Sequence, residues 1–179
     1  LGLVSPVGTD LDHVEHVLTD ELREAYRYRT EVIRLSEFLK LTYPDTLHSP
    51  TEGARLSSYM DAGERARRES GCRDFLALCA IQRIKQLRTE RLEPLPEHAF
   101  ILRSLKTPEE VKRLRSCYGA GFYLIGIHAP EARRLQYLIK QKHIHKGEAE
   151  ALIRRDQAED KRDGQQTRDT FHLADVSSS

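Results

Sequence analysis

The sequence predicts an α/β fold, a three-layer αβα sandwich built on a parallel sheet. Short apolar runs, "LGLV", "EVIRLS", "AFILRSL" and "FYLIGIHA", recur along the chain and are separated by segments of helical periodicity. Strands that are apolar without alternation are buried on both faces, and helices between them supply right-handed crossovers. At 179 residues, 39% hydrophobic and 32% charged, the chain is long enough for one domain with a core and too short for two ordinary enzymes.

Taken in order, residues 1–4 form the first strand, which breaks at Pro6 and turns at Gly8. Leu11, Val14, Val17, Leu18 and Leu22 then share one face of a helix. Residues 31–36 are a β-branched strand, and Ser36 caps a brief helix through Lys40. Residues 51–70 are helical but polar and arginine-rich, which predicts a surface lid rather than a core element. From Arg73 to Leu92 a broad apolar stripe includes Phe75, Leu76, Cys79, Ile84 and Leu87, and prolines end that helix. A strand follows over 99–105, apolar except for Arg103 and its flanks. Thr107 is placed to cap the next helix, with Pro108 at its first position, acids in its first turn and Gly119 as its stop. Residues 122–129 make another buried strand, Pro130 opens a helix, charge dominates 140–168, and 170–176 is a last short strand.

Composition excludes several classes of function. A formal net charge of +1 gives no global field for nucleic acid, so no direct nucleic-acid partner is expected. Cys72, Cys79 and Cys117 are odd in number and fit neither a disulfide framework nor paired CxxC zinc knuckles, which points to a reduced, cytoplasmic setting. No run approaches the ~20 apolar residues of a membrane span. The only methionine is Met60 and the chain opens on Leu1, so a fragment with a shortened first strand is expected.

In parallel sheets ligands sit at the carboxyl ends of strands, which puts the stretch after "LGLV" at the mouth of a site. Ser5-Pro6-Val7-Gly8-Thr9-Asp10 resembles the front of a phosphate-cradling P-loop, yet Leu11 and Asp12 occupy the places of the lysine and of the hydroxyl that holds magnesium. Backbone N–H groups after Gly8 and the positive end of the first helix still favour an anion, while Asp10 and Asp12 oppose one. The plainer alternative is that Asp10 or Asp12 caps the helix. Arg103 is either the partner of an acid on a neighbouring helix or a clamp on a nucleotide phosphate. Arg154, Arg155, Arg162 and Arg168, in a charged segment at about 145–168, stand where nucleotide kinases carry an arginine-bearing lid; the alternative is a solvated helix. Arg65, Arg67 and Arg68 offer the same choice between flap and exposed helix. His143 and His145 lack a third ligand and are assigned to the surface.

The order of these segments, "GLVSPVGTDLDHVEHVL", "EVIRLSEFL", "MDAGERARRESG", "AFILRSLKTPEEVKRLRSCYGAGFYLIGIHAPEARRLQYL" and "RDTFHLADV", resembles the N-terminal P-loop-kinase-like domain of bacterial anti-phage deoxycytidylate or dCTP deaminases. The resemblance implies a degenerate P-loop domain over 1–176, a serine tail or stand-in linker at 177–179, and a zinc deaminase domain that lies outside this sequence. It implies a parent protein that hydrolyses deoxycytidine nucleotides to deoxyuridine nucleotides and so depletes dCTP during phage infection. Zinc belongs to that other domain: the "HVE" at His13 to Glu15 mimics H-x-E but has no Pro-Cys-x-x-Cys downstream. The expected partners are a deoxycytidine nucleotide or purine triphosphate, the deaminase domain of the same protein, and further copies of the chain. No cofactor and no catalytic residue are expected here. Active nucleotide kinase and pure oligomerisation module remain the alternatives.

Overall fold

The computed structural model describes residues 1–47, 49–90, 96–158 and 166–178. Five strands, β1 (Gly2–Val4), β2 (Arg29–Arg34), β3 (His98–Arg103), β4 (Leu124–Ile127) and β5 (Val176–Ser178), form one parallel sheet in the order β2-β3-β1-β4-β5. The helices are α1 (Leu11–Glu24), α2 (Leu35–Thr42), α3 (Glu52–Ser70), α4 (Phe75–Glu90), α5 (Pro108–Tyr118), α6 (Glu131–Lys140), α7 (Lys146–Gln157) and α8 (Thr167–Phe171). This is the three-layer αβα sandwich that the apolar runs predict.

Successive strand residues point to opposite faces, and the core divides accordingly. Leu3, Ile101 and Ile127 pack with Leu11, Val14, Leu18 and Leu22 of α1 on one face. Val4, Leu102 and Leu124 pack on the other, against α2 to α5 and Phe171 of α8. A third cluster joins Met60 of α3 to Leu138 of α6 and to Ala149, Leu152 and Ile153 of α7, and Val7 packs against it. The chain leaves β1 for β2 towards one edge of the sheet and leaves β3 for β4 towards the other, so the crevice opens between the carboxyl ends of β1 and β3.

Four expectations change. The second helix starts at Leu35 with Arg34 in the cap position and no side-chain cap bond, so Ser36 is not the cap; burial of Leu35 and Leu39 sets its register instead. Helix α3 is not a surface lid: Met60, Ala62, Gly63, Ala66 and Arg67 are buried. Its small residues let it pack closely on α2 and α4, a signal hidden by low hydropathy. Residues 170–176 are not one strand. Phe171 and Ala174 pack on Gly126, where any side chain would meet Phe171, so this stretch completes α8 and a turn. The fifth strand follows it, and Ser177 and Ser178 pair with Gly126 and Ile127 rather than trailing as a tail. Elsewhere the capping signals hold: Thr107 accepts from the Glu110 N–H while the Glu110 carboxylate accepts from the Thr107 N–H.

Candidate functional site

The loop from Ser5 to Thr9 turns back on itself and is held from behind. Thr9 donates to the Pro6 carbonyl through its N–H at 3.3 Å and its hydroxyl at 2.8 Å. The Val7 N–H donates to the Asp156 carboxylate of α7 at 2.7 Å, and the Val7 carbonyl accepts from the Arg134 guanidinium of α6 at 3.0 Å. Asp156 and Arg134 are buried. Gly8 adopts φ +85°, and a β-carbon there would lie 2.9 Å from both the Arg134 β-carbon and its carbonyl oxygen. Glycine is therefore required for the approach of α6, whereas the sequence suggests the approach of a phosphate.

Asp10 is the N-cap of α1, accepting from the His13 N–H at 3.1 Å. Leu11, in the place of the P-loop lysine, is buried in the cluster with Leu3, Ile101 and Ile127 and brings no charge. The loop is therefore a tight turn that brings no cation of its own.

Cations come from other elements. A cleft of about 400 Å³ opens at the carboxyl ends of β1 and β3, lined by Ser5 to Thr9, Leu11 and Asp12 on the loop side. Arg34 enters it from the end of β2, Lys40 from α2, Arg55 and Arg67 from α3, Arg103 from the end of β3, Lys106 from just beyond it, and Lys142 from beyond α6. Against them, Asp12 and Glu37 are the acids of the lining. Leu35, Leu39, Tyr59, Met60 and Leu76 supply its apolar wall.

Several of these cations are braced. Arg103 donates to Asp12 at 2.7 Å and Glu15 at 2.8 Å, both on α1, so the ion-pair reading of this residue is the one observed. Arg34 shares Glu15 at 3.1 Å, and Lys142 reaches Asp12 at 3.3 Å. The hydrogen bond from Arg103, reinforced by Lys142 and opposed by partial burial, holds the Asp12 carboxyl below its usual range. Lys106 donates to the Ser5 carbonyl at 2.8 Å and lies 3.4 Å from Asp156. Its own N–H and that of Thr107 donate to Glu110, a carboxyl whose pKa is pushed up by complete burial.

The structure thus brings together Ser5, Pro6, Val7, Gly8, Thr9, Asp12 and Arg103. It does not bring the remaining arginines to them. Arg154 is exposed on α7 and Arg168 exposed on α8. Arg155 donates to Ser57 and Asp61 of α3 at 3.1 and 2.6 Å, tying α7 to α3. The described part of the predicted lid, α7, is a packed helix, because Ala149, Leu152, Ile153 and Asp156 face inward at helical spacing; Arg162 lies outside the described residues. Of Arg65, Arg67 and Arg68 on α3, Arg67 lines the cleft and is buried, Arg65 pairs with Glu69 at 2.7 Å over the Tyr43 ring, and Arg68 is exposed. Glu15 of "HVE" is engaged with Arg34 and Arg103. Among the described residues no group of three or more His, Cys, Asp or Glu is arranged to hold a metal ion.

Lys106, Lys142, Arg34, Arg55, Arg134 and Asp156 are absent from the expectations drawn from sequence. Lys106 had a signal, since it follows a strand that ends at the crevice. Asp156 and Arg134 had none: each acts on the loop from more than a hundred residues away.

Neither a family model nor a curated protein matches this chain. Among solved structures, that of TT1252 from Thermus thermophilus is similar over 98% of this chain and 85% of its own, with 14% identity and a TM-score of 0.49. That level of likeness carries no inference about chemistry.

Proposed function

We propose that this chain is a non-catalytic nucleotide-binding domain, regulatory or scaffolding, of an anti-phage deoxycytidine nucleotide deaminase. The observation that carries the binding reading is the cleft at the crevice of the sheet. It joins a P-loop-like turn and a set of cations to an apolar wall, the combination suited to a ligand with phosphates at one end and a base at the other. Support for a non-catalytic role is the burial of Leu11 where phosphoryl transfer needs a mobile lysine. The parent reaction rests on the chain-long resemblance of its segments to the deaminase family.

Calorimetric titration with dCTP, dCMP and ATP, alongside assays for nucleoside diphosphate and for deoxyuridine products, tests the reading. Binding of at least one nucleotide without turnover is the expected result. An absence of heat from all three would leave a scaffold, and deamination by the isolated chain would overturn the domain assignment. A second reading, nucleotide kinase, is favoured by Lys106, whose ammonium reaches the loop from just beyond β3 and offers a cation in place of the missing lysine. Diphosphate formation at roughly 1–100 per second, lost in Lys106→Met, would establish it.

A further inference from the structure

The register of the sheet sets two arginines side by side at the mouth of the charged cleft. Arg34 and Arg103 are partners across β2 and β3, the last residues of adjacent parallel strands, and both line the cleft. Helix α1 braces each of them through one end only. Arg34 donates from Nη2 to both carboxylate oxygens of Glu15, at 3.1 and 3.2 Å. Arg103 donates from Nη1 to Asp12 at 2.7 Å and to Glu15 at 2.8 Å. The Nε and the second Nη of each guanidinium make no hydrogen bond among the described residues. Two planar forks held at one end and unspent at the other are a pre-organised receptor for an anion with several oxygens.

The loop has little left for a chain of phosphates. The Val7 N–H is bound to Asp156, the Thr9 N–H to the Pro6 carbonyl and the Leu11 N–H to the Thr9 carbonyl. Charge points the same way. Seven cations line the cleft, and among the described residues five carboxylates stand against them: Asp12 and Glu37 in the lining, and Glu15, Glu52 and Asp156 ion-paired to lining cations. Two positive charges are left over. Glu110 feels the Arg67 guanidinium, but complete burial pushes its pKa up, so it offsets at most one of them. A phosphomonoester carries about −1.5 to −2 at pH 7, which that surplus matches. Each further phosphate adds negative charge near Asp12 with no cation left to meet it.

We propose that the cleft takes a nucleoside monophosphate, its one phosphate held by the unspent forks of Arg34 and Arg103 and its base against Leu35, Leu39 and Tyr59. The inference rests on the nucleotide-binding reading of the cleft and narrows it to a single phosphate. Clamp and wall are continuous, since Leu35 follows Arg34 directly and opens α2. A volume of about 400 Å³ lies near the lower end for small-ligand sites and suits the smaller ligand.

The test is calorimetric titration of the whole chain, without divalent cations, with deoxycytidine, dCMP, dCTP, adenosine, AMP, ATP and ribose 5-phosphate. The tighter of dCMP and AMP is expected to bind at least tenfold better than its own triphosphate and at least tenfold better than its own nucleoside. Arg34→Lys and Arg103→Lys keep the charge that faces Glu15 but replace a fork by a single ammonium. Each is expected to weaken the monophosphate at least fivefold and to leave the nucleoside unchanged. Arg34 is exposed, so its variant keeps the fold, with far-UV circular dichroism as the check. A triphosphate as tight as its monophosphate, or a monophosphate no tighter than its nucleoside, would overturn the inference while the cleft remained a nucleotide or nucleoside site. Indifference of the monophosphate to both variants would overturn the clamp. Ribose 5-phosphate as tight as the nucleotides, and weakened by both variants, would support the clamp and overturn the nucleotide reading instead. Heat from none of the seven would overturn both.

Discussion

Replacing Gly8 with alanine separates two explanations of that glycine. If the residue exists to let a phosphate approach the loop, Gly8→Ala should weaken ligand binding and leave stability nearly unchanged. The geometry says otherwise. At φ +85° an L side chain is strained by about 1–2 kcal/mol. The added β-carbon would also lie 2.9 Å from the Arg134 carbonyl oxygen and 2.9 Å from its β-carbon, backbone and near-backbone atoms of a packed helix. Overpacking of that kind costs about 1–3 kcal/mol, so the total is about 2–5 kcal/mol. For a chain of this size each kcal/mol lowers Tm by about 2–4 °C, and the expected fall is roughly 4–20 °C. Thermal unfolding followed by circular dichroism reads it directly. A Tm within 1 °C or so of the parent, together with lost nucleotide binding, would refute the assignment of Gly8 to helix packing.

Other outcomes follow from the same contacts. Asp12→Asn removes the carboxylate shared by Arg103 and Lys142 and should tighten dCTP binding by roughly three- to tenfold at low salt, an advantage that shrinks as screening rises; calorimetry at two salt concentrations checks it. Asp156→Ala leaves the Val7 N–H and the Lys106 ammonium without their buried acceptor and should cost about 3–5 kcal/mol in urea unfolding. Thr107→Ala removes one half of the capping box and should cost about 0.5–2 kcal/mol by the same measurement. Burial raises the Glu110 pKa in the folded chain above its unfolded value, so between those values the folded state binds more protons and stability falls as pH rises; it stays reduced above the folded pKa. Glu110→Gln keeps an oxygen for the Lys106 and Thr107 N–H groups and should flatten that slope in unfolding measured across the acid range.

What was legible in the sequence was whatever local chemistry determines. Pro108, the acids behind it and Gly119 mark α5 within a residue, and the apolar runs locate the central strands because a doubly covered strand must be apolar throughout. Cap chemistry narrowed the start of α1 to Asp10 or Asp12, and Asp10 is the residue that caps it. The failures share a cause: they depend on partners far along the chain. Helix α3 looks solvated because its contact face is made of Ala62, Gly63 and Ala66, residues chosen for size rather than hydropathy. The stretch before Val176 packs Phe171 and Ala174 on Gly126, where a side chain would meet Phe171, a relation between residues that periodicity does not contain. In the candidate site, the loop and Arg103 could be found because they sit at strand ends. Asp156 could not, since a charged residue in a mixed-charge helix looks solvated until its burial is seen.

The placement of β1 at the centre of the sheet governs when the domain can form during synthesis. Leu3 pairs with Arg103 on one side and Ile125 on the other, so β1 lacks its first neighbour until about 100 further residues exist and its second until about 120. At translation rates of about 5–20 residues per second, that is a wait of roughly 6–24 s. Until β3 exists, the apolar residues of β1 and the facing side of α1 have no sheet to cover them. A ribosome-bound chain halted before Leu124 would hold β1 with one side unpaired, and its stretch from Leu1 to Leu22 would be the segment most in need of a chaperone.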